Sequence, residues 1–493
     1  MKKAFAVILM TVACFVGVRS VFSAPKRGSG VYPTVQDALK AGPDFRIQGE
    51  YEGAVGGAGG GKIGVQVIAL GKGCFQAVFL PGGLPGAGWD EKTKILCDGK
   101  LQGGKVVFVP AKGVRKYMAK EPGQFSAVEK FPPEGQKAYT AVLAGGALTG
   151  KTDTGKVIKA GKVLRKSPTL GAGPPAGAVV LLAYRPGKAP SLDEWTNARW
   201  RTFPQGFMRN QRSGSNQTRR QFEGPWRLHV EFMSPFQPAA RGQGRGNSGV
   251  FPPGGREVQV LDSFGLEGMA NECGGIYKTH RPKVNMCLPP LSWQTYDITY
   301  HPAGSAEDGK KGTPAYYQIV HNGVVIHEKM ILGGGRKGGL SFQDHGNPVS
   351  YRNVWIIKTK AGAEEPKSAK VADRPKPAPA PKSDLDGLTL KETMALARKK
   401  AKAGQYDYIM DNMLSRECVN DLIGKYGKDK WRAKFLKDKL ESLPYYFGWL
   451  KKPLIKKFGG KTILTGGPNC HAEFVKVGNR YLIVDFGQRL TSM

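Results

Sequence analysis

Between residues 241 and 352 the chain gathers side chains whose types and spacing could move protons on a polar substrate. The run RGQGRGNSGVF (241–251) carries Arg245 and Asn247. The run REVQVLDSFG (256–265) follows with Glu257, Gln259 and Asp262, and NECGGIY (271–277) adds Tyr277. Trp293 stands in PPLSWQTYD, and Gln343, Asp344, His345 and Arg352 stand in SFQDHGNPVSYRNVW. A carboxylate and an imidazole supply a general acid and a general base. An ordinary imidazole is suited to proton transfer near neutrality, whereas a carboxyl such as that of Glu257 needs its pKa raised by burial. Amides and carboxylates provide the donors and acceptors that sugar hydroxyls require, and Trp293 can cover a sugar C–H face. The mixture suits a carbohydrate. Each residue also has a plainer reading: Glu257 as a solvated strand residue, His345 as a turn residue, Trp293 as core.

The elements that would position these groups are short strands. In EVQVL, Glu257, Gln259 and Leu261 share one face of a strand, and Val258 and Val260 share the other. Asp262 ends it, five residues after Glu257, too far along a straight strand for the two to act as a paired-carboxylate glycosidase site. The glycines before Asn247 permit a close backbone approach. WRLHVEFMSPF, WQTYDITYHP and AYYQIVHNGVVIHEKM alternate, and Asn322-Gly323 is a strong hairpin signal. About 180 residues of such strands predict a sandwich or jelly roll over 166–360. Upstream, residues 25–165 are rich in glycine and hold short alternating runs (FRIQGEYEG, IGVQVIAL, CFQAVFLPGG), with TVQDALKA as a lone helical stretch. They predict a small all-β domain. Residues 361–384 contain five prolines and six alanines and read as an extended linker. Residues 385–493 read as a small α+β domain. It has a capping box at Thr389 and Glu392, a helical stripe from Trp431 to Leu443, and a hairpin at Gly478-Asn479. His471 adjoins Cys470 there, but adjacent strand residues point to opposite faces, and no chemistry is assigned to that domain.

Lys2, Lys3 and the apolar run Ala4 to Val18 resemble a signal peptide over residues 1–24. The run is short for a membrane span. The expectation is an exported protein, periplasmic or extracellular, with a lipid-anchored form through Cys14 as a minor alternative. The remaining six cysteines fall in local pairs: Cys74 with Cys97, Cys273 with Cys287, Cys418 with Cys470. In an oxidising compartment they predict three disulfides. The chain carries 74 Lys and Arg against 39 Asp and Glu, a formal net charge of +35. The basic residues are scattered and no nucleic-acid motif appears. An acidic envelope polysaccharide is therefore a more natural partner than nucleic acid.

Taken in order, GNSGVF, REVQVLDSFG, ECGGIY, NMCLPPLSWQTYDITY, HNGVVIH and FQDHGNPVSYRNVWI resemble the 3-keto-disaccharide hydrolase domain family over about residues 167–358. The resemblance implies a concanavalin A-like jelly roll with a sugar groove on a concave sheet. It also implies action on glycosides oxidised to a ketone at C3. A C3 ketone acidifies the C2 hydrogen, so a base can remove it, the enolate can expel the C1 oxygen, and water can add back. Glu257 and His345 are the expected catalytic pair. Arg352 or Arg245 would face the oxyanion, or a divalent cation would replace them. Asn247, Gln259, Asp262, Tyr277 and Gln343 would orient the sugar, with Asp344 holding the imidazole tautomer. The other class of function is a non-catalytic lectin or adhesion module, since fold does not fix function.

Overall fold

The computed structural model describes residues 30–56, 60–210, 212–304, 312–331 and 337–360, and the backbone of four strands between 454 and 488. The chain divides into two units, Met1–Asp373 and Arg374–Met493. In the first, Thr34 caps the helix Val35–Lys40 by accepting from Asp37 N–H, as TVQDALKA predicts. Eight antiparallel strands then close into a barrel. Its order is Gly49–Val55, Val157–Val163, Ala147–Lys151, Thr140–Ala144, Lys105–Pro110, Ile95–Gln102, Cys74–Pro81 and Gly61–Gly71. The barrel closes where Gly53 meets Ala160, and a Cβ on Gly53 would collide with the Lys159 carbonyl.

An eight-stranded barrel is just wide enough for side chains to fill it. Here Tyr51, Val65, Val67, Phe75, Phe79 and Phe108 do so. Strands Gly61–Gly71 and Cys74–Pro81 are buried on both faces. Their outward residues Ile68, Leu70, Val78 and Leu80 belong to the core of the following sandwich. IGVQVIAL is near-continuously apolar because it serves two cores.

The sandwich pairs a large sheet with a small one. The large sheet runs Arg201–Phe203, Phe207–Arg209, Ser350–Lys358, Trp226–Met233, Gln294–His301, Tyr316–His321, Val324–Ile331, and Val179–Leu182 also pairs with Ser350–Lys358. The small sheet runs Asn216–Gln217, Ser341–Phe342, Ser248–Phe251, Val258–Val260. Between them lie Leu228, Val230, Phe232, Val250, Val258, Val260, Phe342 and Tyr351, with Phe342 stacked on Tyr351 at 4.0 Å. The expected hairpin is present. Asn322 and Gly323 have φ of 50° and 84°, and His321 pairs with Val324.

The cysteines depart from expectation, since Cys74, Cys97, Cys273 and Cys287 are all free thiols. Cys74 pairs with Lys100 and Cys97 with Ala77. That offset of about 10 Å along the strand exceeds what a disulfide can bridge. The Cys273 and Cys287 thiols do face each other, as the expected pairing requires, but both are free. Cys273 also meets the Tyr296 hydroxyl at 3.3 Å, and Cys287 donates to the Leu261 and Leu288 carbonyls, each at 3.5 Å.

In the second unit, Leu454–Phe458, Lys461–Gly466, Cys470–Val477 and Arg480–Gln488 form an antiparallel sheet. Val477 pairs with Arg480, as the predicted hairpin requires. The signal segment, the linker, the helices expected between 385 and 443, and Cys418 lie outside the described residues. No helix among the described residues is long and apolar enough to cross a membrane.

Candidate functional site

The valines of VQV point into the sandwich core, so the residues between and beside them point out. Gln259 lies opposite Gly249. Gln343 N–H donates to the Gly249 carbonyl on the other side of the same strand. Tyr277 N–H donates to the Glu257 carbonyl, and Ile276 pairs with Val258. Strand alternation therefore puts Glu257, Gln259, Gly249, Phe251, Ser341, Gln343 and Tyr277 on one outer face of the small sheet.

Glu257 lies against Gly249, where any Cβ would collide with its carboxyl. The residue is only 8% exposed, and among the described residues no hydrogen bond or charge offsets the burial of its carboxyl. Burial pushes its pKa up to about 7. Three buried amide oxygens beside it also lack partners: Asn247 Oδ1, Gln259 Oε1 and Gln343 Oε1. Gln243, passed over in the sequence as part of a glycine-rich run, sets two of these amides. Its side-chain oxygen accepts from Asn247 Nδ2 and Gln259 Nε2, both at 3.1 Å. Unpaired buried acceptors are costly, and a ligand bearing several hydroxyl donors would satisfy them.

The loop after Gln343 is fixed by Asp344. Its carboxylate accepts from Ser213 N–H at 2.7 Å, Gly214 N–H at 3.2 Å and Gly346 N–H at 2.9 Å. Asp344 is thus taken up by backbone, and holding the imidazole is not its place in the structure. His345 is exposed on that loop. Asn347 Oδ1 accepts from Gly246 N–H at 2.8 Å and ties the loop to the segment, Gly246 and Asn247, that leads into strand Ser248–Phe251.

The structure does not bring the other expected residues to this face. The strand ends at Val260, so Leu261 turns into the core instead of sharing a face with Glu257. Asp262 is 2% exposed and Arg245 4%. Arg245 Nε donates to Asp262 Oδ2 at 2.7 Å, and its other nitrogens donate to Ala69 O and Gln48 Oε1 of the barrel. Its guanidinium is committed to joining barrel and sandwich rather than to an oxyanion.

Arg352 and Trp293 sit on the far face of the large sheet. The Arg352 guanidinium lies between Tyr184 and Trp293, at 4.1 and 4.2 Å from the ring centres, and its Nε donates to Glu231 Oε2 at 2.6 Å. Tyr351, the preceding residue, faces the core and meets Ser248 Oγ at 2.6 Å. Around Glu231 the same far face carries a buried network. His229 Nδ1 meets Asp297 Oδ1 at 2.8 Å, Asn353 Nδ2 donates to Glu231 Oε1 at 2.8 Å, and Thr169 Oγ1 donates to Asp297 Oδ2 at 2.7 Å. Burial pulls the His229 pKa down, but its bonds to Asp297 and Glu231 outweigh this and hold it above the ordinary value. Residues 169–172 lie over the network: Ala172 O accepts from Asn353 Nδ2 and from the Trp355 indole. The signal for it was the i, i+2 spacing of His229 and Glu231 in WRLHVEFM. Among the described residues, no group of three or more His, Cys, Asp or Glu side chains gathers as metal ligands do.

Residues 180–357 match the family model of the 3-keto-alpha-glucoside-1,2-lyase-like domain. A candidate glycosyl hydrolase from Parabacteroides distasonis, solved at 2.13 Å, is 30% identical over 38% of this chain and 85% of that one, with a TM-score of 0.32. A second candidate glycosyl hydrolase from the same organism is 17% identical over 37% of this chain and 95% of that one, with a TM-score of 0.27. No curated protein matches the chain. The match to the 3-keto-alpha-glucoside-1,2-lyase-like family model thus covers residues 180–357 of the 493-residue chain.

Proposed function

We propose that the protein cleaves glycosides carrying a ketone at C3, with Glu257 as the proton-transfer group. The observation that carries this is the unpaired Glu257 carboxyl, buried against Gly249 with its pKa near 7, beside three unpartnered amide oxygens. A carboxyl titrating near neutrality can serve as base in one step and acid in the next. Glu257 takes the C2 proton, and the electron pair passes to the C3 oxygen as an enolate. As the C3 carbonyl reforms, the C1–O bond breaks and the leaving oxygen takes a proton. Water then adds across C1 and C2, giving net hydrolysis. Tyr277, beside Glu257, is the donor available to the enolate oxygen. His345, on the exposed loop that follows Gln343, is the group available to protonate the leaving oxygen. Paired-carboxylate hydrolysis is disfavoured because Asp262 is buried against Arg245.

A lectin is the second reading. It rests on the same amide acceptors, which would bind hydroxyls without chemistry. The proposal includes export, on the strength of residues 2–18, and domain limits of 25–165, 166–360, 361–384 and 385–493. Product formation from a 3-keto disaccharide and from its unoxidised parent tests it. Cleavage of the keto sugar alone, abolished in Glu257→Gln and reduced in His345→Ala, is the expected result. Binding of sugar without cleavage of either would transfer the assignment to the lectin.

A further inference from the structure

An open depression of about 410 Å³ runs from Gln343 along the outer face of the small sheet. We infer that it holds the second sugar ring of the substrate, and that this ring is neutral. The inference rests on the proposed role of Glu257 for the first ring.

Position comes first. Gln343 borders both the depression and the Glu257 face. Val250 pairs with Val258 and Phe251 with Ser341, so Phe251 lies between the strands that carry Glu257 and Ser341. From the Glu257 strand to the Gln343 strand is two strand spacings, about 10 Å, a span that two linked pyranose rings cover.

Chemistry comes second. The lining includes Ser215, Gln217, Ser341, Gln343 and the ring of Phe251, together with proline and glycine backbone, and no charged side chain. In a chain with a net charge of +35, an uncharged lining separates this site from the basic surface. Hydroxyls and amides match neutral sugar hydroxyls, and Phe251 offers a stacking face. Gly339 makes room for one of these amides: a Cβ there would stand 2.8 Å from Gln217 Nε2. The volume falls at the lower end of the ~300–1,000 Å³ range of small-molecule sites.

The test compares wild type, Phe251→Ala, Gln217→Ala and Phe251→Trp on two substrates, a neutral 3-keto disaccharide and a 3-keto methyl glucoside. The methyl group is too small to reach the depression. The expected result is a KM about tenfold higher for the disaccharide in both alanine variants, with kcat nearly unchanged, no change on the methyl glucoside, and recovery in Phe251→Trp. Equal losses on both substrates, or none, would overturn the inference while leaving the role of Glu257 intact. If wild type cleaves neither substrate, the Glu257 reading fails and calorimetry decides the depression separately. Binding of the unoxidised neutral disaccharide, weakened about tenfold in Phe251→Ala, supports it. Absent binding, or tighter binding of a uronic-acid disaccharide, overturns it.

Discussion

The Glu257 carboxyl occupies the space that a side chain at position 249 would need. Gly249 is therefore a positioning residue: its bare backbone lets the acid lie flat on the sheet. Gly249→Ala should displace the carboxyl and lower kcat by on the order of 100-fold, the scale of an ångström-sized misplacement. Circular dichroism and the thermal midpoint should show a folded protein.

Burial of Glu257 has two consequences with pH. Activity that needs its carboxylate should rise through a limb near pH 7, and Glu257→Gln should lose about 10²- to 10⁴-fold in rate. The folded pKa lies above the unfolded one, so the folded state holds the extra proton between about 4.5 and about 7. Stability from this group is present below that window and is lost as pH rises through it. Thermal midpoints from pH 4 to 8 should therefore decline in wild type relative to Glu257→Gln.

Asp262 and Arg245 should matter to stability. Asp262→Ala strands a buried guanidinium and should cost about 3–5 kcal/mol, read from urea unfolding. If the barrel follows the sandwich, the tryptophan signal and the far-ultraviolet signal should shift together.

His229 should give a pH dependence of its own. Its folded pKa is raised, so its contribution is full below the ordinary value of 6.5 and is lost as pH rises past that value through the folded pKa. Wild type should lose thermal stability on the alkaline side more steeply than His229→Gln. An identical slope in the two proteins would remove His229 from this role.

Much of this was legible. Alternation in EVQV separated Glu257 and Gln259 from the two core valines, and Asn322-Gly323 announced its hairpin. Alternation gives a face but not which of two sheets carries it. Arg352, close in sequence to Gln343, therefore lies on the other side of the sandwich. Nor does it say where a strand stops, and Leu261 and Asp262 turn inward once the pairing ends at Val260. Barrel closure was hidden because it joins Gly49–Val55 to Val157–Val163, with the other six strands between them. Phe251 and Gln217 carried no signal of their own. Their neighbours across the sheet, Ser341 and its strand, come some 90 or more residues later in the sequence.

The strand Ser350–Lys358 lies inside the large sheet, with Trp226–Met233 on one side and Phe207–Arg209 and Val179–Leu182 on the other. It is also the last strand of that sheet to be synthesised. On a ribosome, the two sides of the sheet have no seam to join until residue 358 has emerged. Early strands wait with open edges, and non-local pairing of this kind is slow and exposed to aggregation. The nascent chain should therefore stay unfolded and available to chaperones until this domain is almost fully made.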